Sequence, residues 1–261
     1  MIARAAAAGV GVLALTDHDT VAGLDEAVAA LPAGMTLVPG MELSCQRDGH
    51  SVHLLAYLFD PGHAELAGQC LAIRQSRADR ARAMVQRLAA LGAPVSWEQV
   101  AAIAGGGVIG RPHIARAMVE SGVIESAEDA FSTEWLAAGG RAYVPRYALD
   151  LADAIGLVHA AGGVTVLAHP FASAHGWTDP GQLIAELAPA GLDGVEVNHP
   201  DHDQPQRDAL RALAGQLDLV VTGGSDDHGA LTGDRIGCES ADRADLDRLL
   251  AAAATAPVTG R

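Results

Sequence analysis

The sequence predicts an α/β fold, a sheet or barrel of parallel strands interrupted by a helical insertion, and three observations carry that prediction. Short apolar runs alternate with helix-spaced segments towards both ends of the chain, the pattern of strands joined by helical crossovers. Each apolar run ends in polar, His-rich or acid-rich residues, and in such folds the working groups sit at the carboxyl ends of the strands. Between about residues 63 and 140 the strand pattern stops and only helical spacing remains.

In chain order, "MIARAAAAGVGVLAL" reads as the tail of a helix running into a strand. It is not expected to act as a signal peptide, because it leads straight into "TDHD" with no cleavage-like stretch. "VGVLALT" is a buried strand. "TVAGLDEAVAAL" follows with helical spacing, and Thr20 stands in the N-cap place. "MTLVPGMELS" is the next strand, bent at Pro39-Gly40, and "SVHLLAYLF" is another. The insertion opens with Ile73, Arg77, Ala81, Met84, Val85, Leu88 and Leu91 at 3–4 spacing, one long amphipathic helix. "SWEQVAAIAG", "RPHIARAMVESG" and "SAEDAFSTEWLAAGG" read as three shorter helices, with Pro112 and Ser126 suited to helix starts. Gly105 to Gly107 is a hinge candidate. The strands "GVTVLAHP", "GVEVNHP" and "LVVTGGSDDH" then resume, separated by the helices "PGQLIAELAPAG" and "QPQRDALRALAGQL". Residues 1–62 and 141–261 are therefore expected to form the barrel domain, and 63–140 a helical insertion over its mouth.

The 261 residues are 49% apolar and carry a formal charge of −15. Polyanion binding rests on neutralising phosphates, so this charge argues against a large nucleic-acid surface. It leaves room for a small phosphorylated ligand, because divalent cations reverse the local sign of an acidic site. Three scattered cysteines imply no disulfide framework and point to a reducing cytoplasm. No stretch approaches the ~18 apolar residues of a membrane span.

The strand ends hold Asp17-His18-Asp19, Glu42, His53, His169 and Asp226-Asp227-His228. Parallel strands would bring these groups to one face, where unpaired carboxylates and imidazoles are costly to bury. Divalent cations resolve the conflict. Mixed His and carboxylate shells suit Mn, Fe or Zn, and a shared carboxylate can bridge two ions. Two such ions ~3.5–4 Å apart can hold the oxygens of a phosphoryl group for in-line displacement.

Taken together, "ALTDHDT", "PGMELS", "VHLLAY", "GRPHIA", "VLAHP" and "GGSDDH" resemble the PHP (polymerase and histidinol phosphatase) family. They are most similar to its branch acting on nucleoside 3′,5′-bisphosphates and the 5′ ends of short RNA. The resemblance runs over nearly the whole chain. It implies a distorted (β/α)7 barrel with a helical insertion and a divalent metal cluster, most simply Mn2+, with Fe2+, Zn2+ and Mg2+ as alternatives. The implied metal ligands are His18, Glu42, His53, His169, Asp226 and His228, with Glu42 bridging. The family opens with an H-x-H strand and an Asp ahead of the first helix. Here Met1 falls within that helix, so the first strand is expected to be missing from the chain as written. A start codon placed too late is the preferred explanation, with a fragment or a degraded paralogue as the alternatives.

In the resembling enzymes the regions "IGRPHIA" and "GGRAYVPR" help bind phosphates. Arg111 and His113 stand at a helix start that favours an anion, and arginine offers planar, bidentate donors. Arg111, His113 and Arg141 are therefore expected to contact the phosphate that is not cleaved. Asp17 is the candidate for proton transfer to the leaving group. Asp19 reads as a helix cap, Cys45 as packing, His159 as packing on the barrel, and His50, His63 and His175 as loop residues. His199 and His202 end a strand at the functional face with their role open. The expected activity is a metal-dependent phosphoesterase on a small nucleotide, with no membrane partner. The rivals are a metal-dependent C–N hydrolase and a catalytically silent metal-binding module.

Overall fold

The computed structural model describes residues 1–107, 109–172, 179–229 and 232–260. In order, it forms α1 (Ile2–Ala7), β1 (Val12–Leu15), α2 (Leu24–Ala29), β2 (Thr36–Arg47), β3 (His50–Tyr57), α3 (Ala64–Ala90), α4 (Trp97–Ala104) and α5 (Arg111–Glu120). There follow β4 (Leu149–Asp150), α6 (Leu151–Ala160), β5 (Val164–Leu167), α7 (Pro180–Leu187), β6 (Gly194–Asn198), α8 (Gln204–Leu217), β7 (Val220–Gly223), α9 (Arg243–Ala252) and β8 (Val258–Thr259). Among these residues no helix is long and apolar enough to cross a membrane. His175 lies outside the described residues.

The chain divides into two compact units, Met1–Gly68 with Leu149–Arg261, and Gln69–Ala148. Helix α3 runs uninterrupted through the first boundary, so the division falls inside a helix that the sequence reading had placed wholly in the insertion.

The first unit is a curled, mixed sheet ordered β1-β2-β3-β5-β6-β7, with β4 and β8 added on β2. β1 pairs with β2 in parallel, and β5, β6 and β7 are parallel to one another. The centre departs from the all-parallel expectation. β2 and β3 form an antiparallel hairpin, and β3 is antiparallel to β5. Arg47 faces His50 across a two-residue turn, Asp48-Gly49, whose residues have φ of 49° and 80°. Positive φ at both positions is what a type I′ hairpin turn requires, and Asp-Gly is its commonest signature. His50, expected in a loop, is instead the first residue of β3.

β2 is long enough to pair with β1 along one half and β3 along the other, and Pro39-Gly40 marks the change. A Cβ at Gly40 would lie 2.9 Å from Thr16 Cγ2 and 3.1 Å from the Ala56 carbonyl. Only glycine lets β1 and β3 approach β2 from either side there. The apolar faces close on Val38, Leu55, Tyr57, Val164, Val166 and Val220, and on Ile2, Ala5, Leu15, Met35 and Leu37.

Three helix-end expectations change. Thr20 does not cap α2; its Oγ1 accepts from Ala22 N in a local turn, and the helix starts four residues later behind Gly23. "SAEDAFSTEWLAAGG" is not a helix but one 3-10 turn, Glu128–Phe131, in irregular chain. Ser126 binds the Asp129 carboxylate through both its N–H and its hydroxyl, local bonding that competes with helix propagation. Gly105 ends α4 in the left-handed conformation, φ 58°, the usual helix stop.

The second unit packs α3, α4 and α5 around Met84, Leu88, Val100, Ile114, Met118 and Leu136. Ser96 caps α4 by accepting from Gln99 N.

Candidate metal centre

In the first unit, side chains from five strands meet: Glu42 and His53 stand within β2 and β3 rather than at their ends, and His18, His169 and Asp226 follow β1, β5 and β7. The segment after β1 lies beside β2: Asp19 N donates to Glu42 O at 3.0 Å, and Glu42 N to Asp17 O at 3.2 Å. That pairing places His18 against Glu42. Ser44 faces His53 across the hairpin, so Glu42, two residues before Ser44 on the same face, is the diagonal neighbour of His53. His169 follows β5 and Asp226 follows β7.

Glu42 is the hub. Its Oε1 is 2.5 Å from His53 Nδ1 and 3.0 Å from His169 Nε2, and its Oε2 is 3.6 Å from His18 Nδ1. Ligand atoms of His18, Glu42 and His53 lie within 4.8 Å of one another, and so do those of Glu42, His169 and Asp226. Glu42 belongs to both groups. His228 stands 3.3 Å from Asp226 Oδ1 and its ring is 5.6 Å from that of His18. All six residues expected as ligands are thus brought together.

The donor set fits divalent cations. His18 Nδ1 is buried and has no hydrogen-bond partner, and at 3.6 Å it is too far from Glu42 for a bond. His228 Nδ1 faces the Asp226 carbonyl at 3.1 Å, which places its proton on Nδ1 and leaves the Nε2 lone pair outward. Asp19, His169 and Asp226 all have positive φ, at 54°, 25° and 47°. Strained backbone of this kind collects at functional sites.

The carboxylates divide. Burial by itself would raise Glu42, but the surrounding His18, His53 and His169 outweigh it and hold its carboxyl well below the ordinary range. Burial raises Glu196 to about 6; its Oε2 accepts the His169 N–H at 2.9 Å. Burial lowers His53 to about 3, against the pull of Glu42. His169 is raised to about 9, because its bond to Glu42 and the surrounding carboxylates overcome burial.

A pH dependence follows. Near pH 7 the metal-free chain carries a proton on His169 that a cation must displace. Affinity for Mn2+ is expected to rise about tenfold per pH unit between pH 7 and 8, and to flatten towards 9. The same raised value makes the proton stabilising to the metal-free fold below about 6.5, a contribution lost as pH passes 9. Titration calorimetry at pH 6, 7 and 8 checks the first point; an affinity independent of pH would remove His169 from the ligand set.

The other sequence candidates separate. Asp19 is not a cap: it is fully buried and accepts both the Ser44 N–H at 2.7 Å and the Ser44 hydroxyl at 2.8 Å. Asp17 is largely exposed; partial burial raises its carboxyl against the opposing pull of His18 and His228. Asp227 accepts from Gly229 N, Arg235 N and Arg4, which ties down the loop carrying Asp226 and His228. His202 uses both ring nitrogens on backbone, facing the Val197 carbonyl through Nδ1 and accepting from Phe171 N through Nε2. It is a clamp between two loops. His159 reaches Asp193, which also binds Thr165, and so joins α6 to the start of β6. His63 Nδ1 accepts from Leu66 N at the start of α3. Cys45 is buried.

In the second unit, Arg111 opens α5, donates to the Leu136 carbonyl at 3.4 Å and stacks over Phe131. His113 Nδ1 accepts from Gly110 N. Arg141 is exposed. Burial lowers Arg80 to about 9, helped by the nearby Arg111, Arg146 and Arg77. Crowded guanidinium groups favour an anion. The sequence reading missed Arg80 there, and Glu196 in the first unit; Arg146 it had noted in "GGRAYVPR" beside Arg141. Glu196 was visible as the one charged residue between Val195 and Val197 in an apolar strand.

Known proteins similar to this chain carry phosphate-ester activities. A 5′-3′ exoribonuclease from Haemophilus influenzae is 35% identical over 231 residues, 87% of this chain and 83% of that protein. A 3′,5′-nucleoside bisphosphate phosphatase from Chromobacterium violaceum is 34% identical over 237 residues, 90% of this chain and 83% of that one. Among solved structures, one described as a metal-dependent phosphoesterase from Bifidobacterium adolescentis matches with a TM-score of 0.84 and 33% identity, covering 97% of this chain and 89% of its own. No family model matches the chain.

Proposed function

We propose, from the premise that the chain belongs to the PHP-type family of metal-dependent phosphoesterases formed by these relatives, that it removes the 3′-phosphate of nucleoside 3′,5′-bisphosphates and trims short RNA from its 5′ end. One observation carries the reading: Glu42 is shared by two ligand groups whose atoms each lie within 4.8 Å.

His18 and His53 hold one side of the centre, His169 and Asp226 the other, and Glu42 joins them, with His228 beside Asp226. Divalent cations there, Mn2+ by preference and Fe2+, Zn2+ or Mg2+ as alternatives, would neutralise charge on the phosphoryl oxygens and lower the pKa of attacking water. Asp17 faces His18 and His228, and its raised carboxyl suits it to hand a proton to the departing 3′-oxygen. Arg111, His113 and Arg141 are read as contacts to the phosphate that stays, and the crowding of Arg111, Arg146 and Arg77 around Arg80 supports an anion there. Cys45, Cys70 and Cys238 form no disulfide among the described residues, in keeping with a cytoplasmic setting.

Phosphate release from adenosine 3′,5′-bisphosphate and from AMP, with Mn2+ supplied, tests the reading. The bisphosphate is expected to be preferred about 100-fold in kcat/KM, roughly 3 kcal/mol. Arg111→Met is expected to raise KM about tenfold with little change in kcat, the signature of lost uniform binding. Equal rates on both substrates would overturn the bisphosphate assignment.

A further inference from the structure

His199 follows β6, is fully buried, and its ring lies 5.1 Å from that of His169. It sits against the metal centre, yet its hydrogen bonds differ from those of His228. Its Nδ1 accepts the Asp201 backbone N–H at 3.1 Å. The Nδ1 lone pair is therefore engaged, and the neutral ring carries its proton on Nε2. That Nε2 is buried without a hydrogen-bond partner and points at Asp226 Oδ2 from 3.7 Å.

The tautomer is held from outside the ring. Arg207 donates to the His199 carbonyl at 2.7 Å and to the His202 carbonyl at 3.0 Å. Glu239 grips the same guanidinium through two bonds. This clamp fixes the turn that presents Asp201 N–H to Nδ1. Turning the ring over would set a carbon against that N–H and leave it without its acceptor.

We propose that His199 is a positioning residue, an Nε2–H donor that orients Asp226, and that it is not a metal ligand. A ring with Nδ1 occupied and Nε2 protonated has no lone pair to offer a cation. It has a donor aimed at one oxygen of a carboxylate whose other oxygen faces His228. A shift of under 1 Å brings Nε2 and Oδ2 to hydrogen-bond distance. Asp226 then keeps its remaining lone pairs for the centre it shares with Glu42 and His169. The inference rests on the metal-centre reading above and adds the group that aims one of its ligands.

Three variants of the full chain test it. In His199→Gln the amide nitrogen stands near Nε2; in His199→Asn it stands near Nδ1; His199→Ala removes both. Zn2+ and Mn2+ stoichiometry and affinity are measured by equilibrium dialysis, and the ring tautomer by 15N NMR of the metal-free and Zn2+-loaded wild type. His199 is expected to show the Nε2–H form in both states. All variants are expected to bind as many ions as wild type. Affinity is expected to fall about 10- to 100-fold in His199→Ala and His199→Asn, and to stay within about threefold of wild type in His199→Gln. Loss of one ion in both His199→Ala and His199→Gln, or a Zn2+-bound nitrogen shift, would make His199 a ligand and overturn the proposal. Unchanged affinity in His199→Ala would overturn it too, as simple packing. These readouts need no substrate, so a wild type that binds ions but releases no phosphate would sink the substrate assignment alone.

Discussion

Glu42→Gln is expected to abolish turnover, lowering phosphate release roughly a thousandfold or more, about 4 kcal/mol in transition-state free energy. Glu42 is the one carboxylate placed in both groups of potential ligands, with oxygens facing His53, His169 and His18. Gln preserves shape and volume, so the core around it stays packed, but it removes the negative charge that three imidazoles surround. An amide also presents a donor where two ring nitrogens converge. The variant is therefore expected to bind fewer ions, with the deficit read by elemental analysis of the dialysed protein and activity by phosphate release. A variant that kept its full metal complement and turned over at the wild-type rate would show that Glu42 bridges nothing.

Asp19→Ala is expected to be the most damaging change to the fold near the centre, costing about 3 kcal/mol. The carboxylate is fully buried and receives two bonds from Ser44. Truncation leaves a buried N–H and a buried hydroxyl without that acceptor, two residues along β2 from Glu42. Asp also tolerates the φ of 54° at this position better than most residues. For a chain of this size the loss corresponds to a melting temperature lower by roughly 6–12 °C. Asp19→Asn keeps an acceptor for the Ser44 N–H and is expected to lose about half as much. Thermal unfolding followed by circular dichroism measures both; an unchanged midpoint in Asp19→Ala would show that the Ser44 bonds are replaced by water without penalty.

These expectations draw unequally on sequence and structure. His18, His169 and Asp226 were legible because they follow apolar strands, and Glu42 and His53 because they are polar residues set inside apolar ones. The helices α3, α4, α5, α7 and α8 were legible from spacing, and α5 also from Pro112 in its first turn; the caps Ser96 and Asp203 emerged only in the structure. The antiparallel β2–β3 hairpin was not. A buried strand has the same apolar pattern whichever way its neighbour runs, and the informative residues were two, Asp48 and Gly49. Thr20 and Ser126 misled for a related reason: Ser, Thr and Asp bind nearby backbone in turns as readily as at helix starts.

The sequence by itself determined which chemical groups the protein has to work with, and their order along the chain. The supply of histidines and carboxylates after or within apolar runs, the −15 charge and the arginines of the insertion are matters of composition and local pattern. Only the tertiary structure decided what each group does. Asp19 became a brace for β2 and His202 a clamp because backbone groups from other segments arrive at their side chains; the donor role proposed for His199 rests on the Asp201 N–H set against its Nδ1. A histidine's two nitrogens are chemically alike in the sequence. Which of them keeps the proton is decided by what the fold sets against the other.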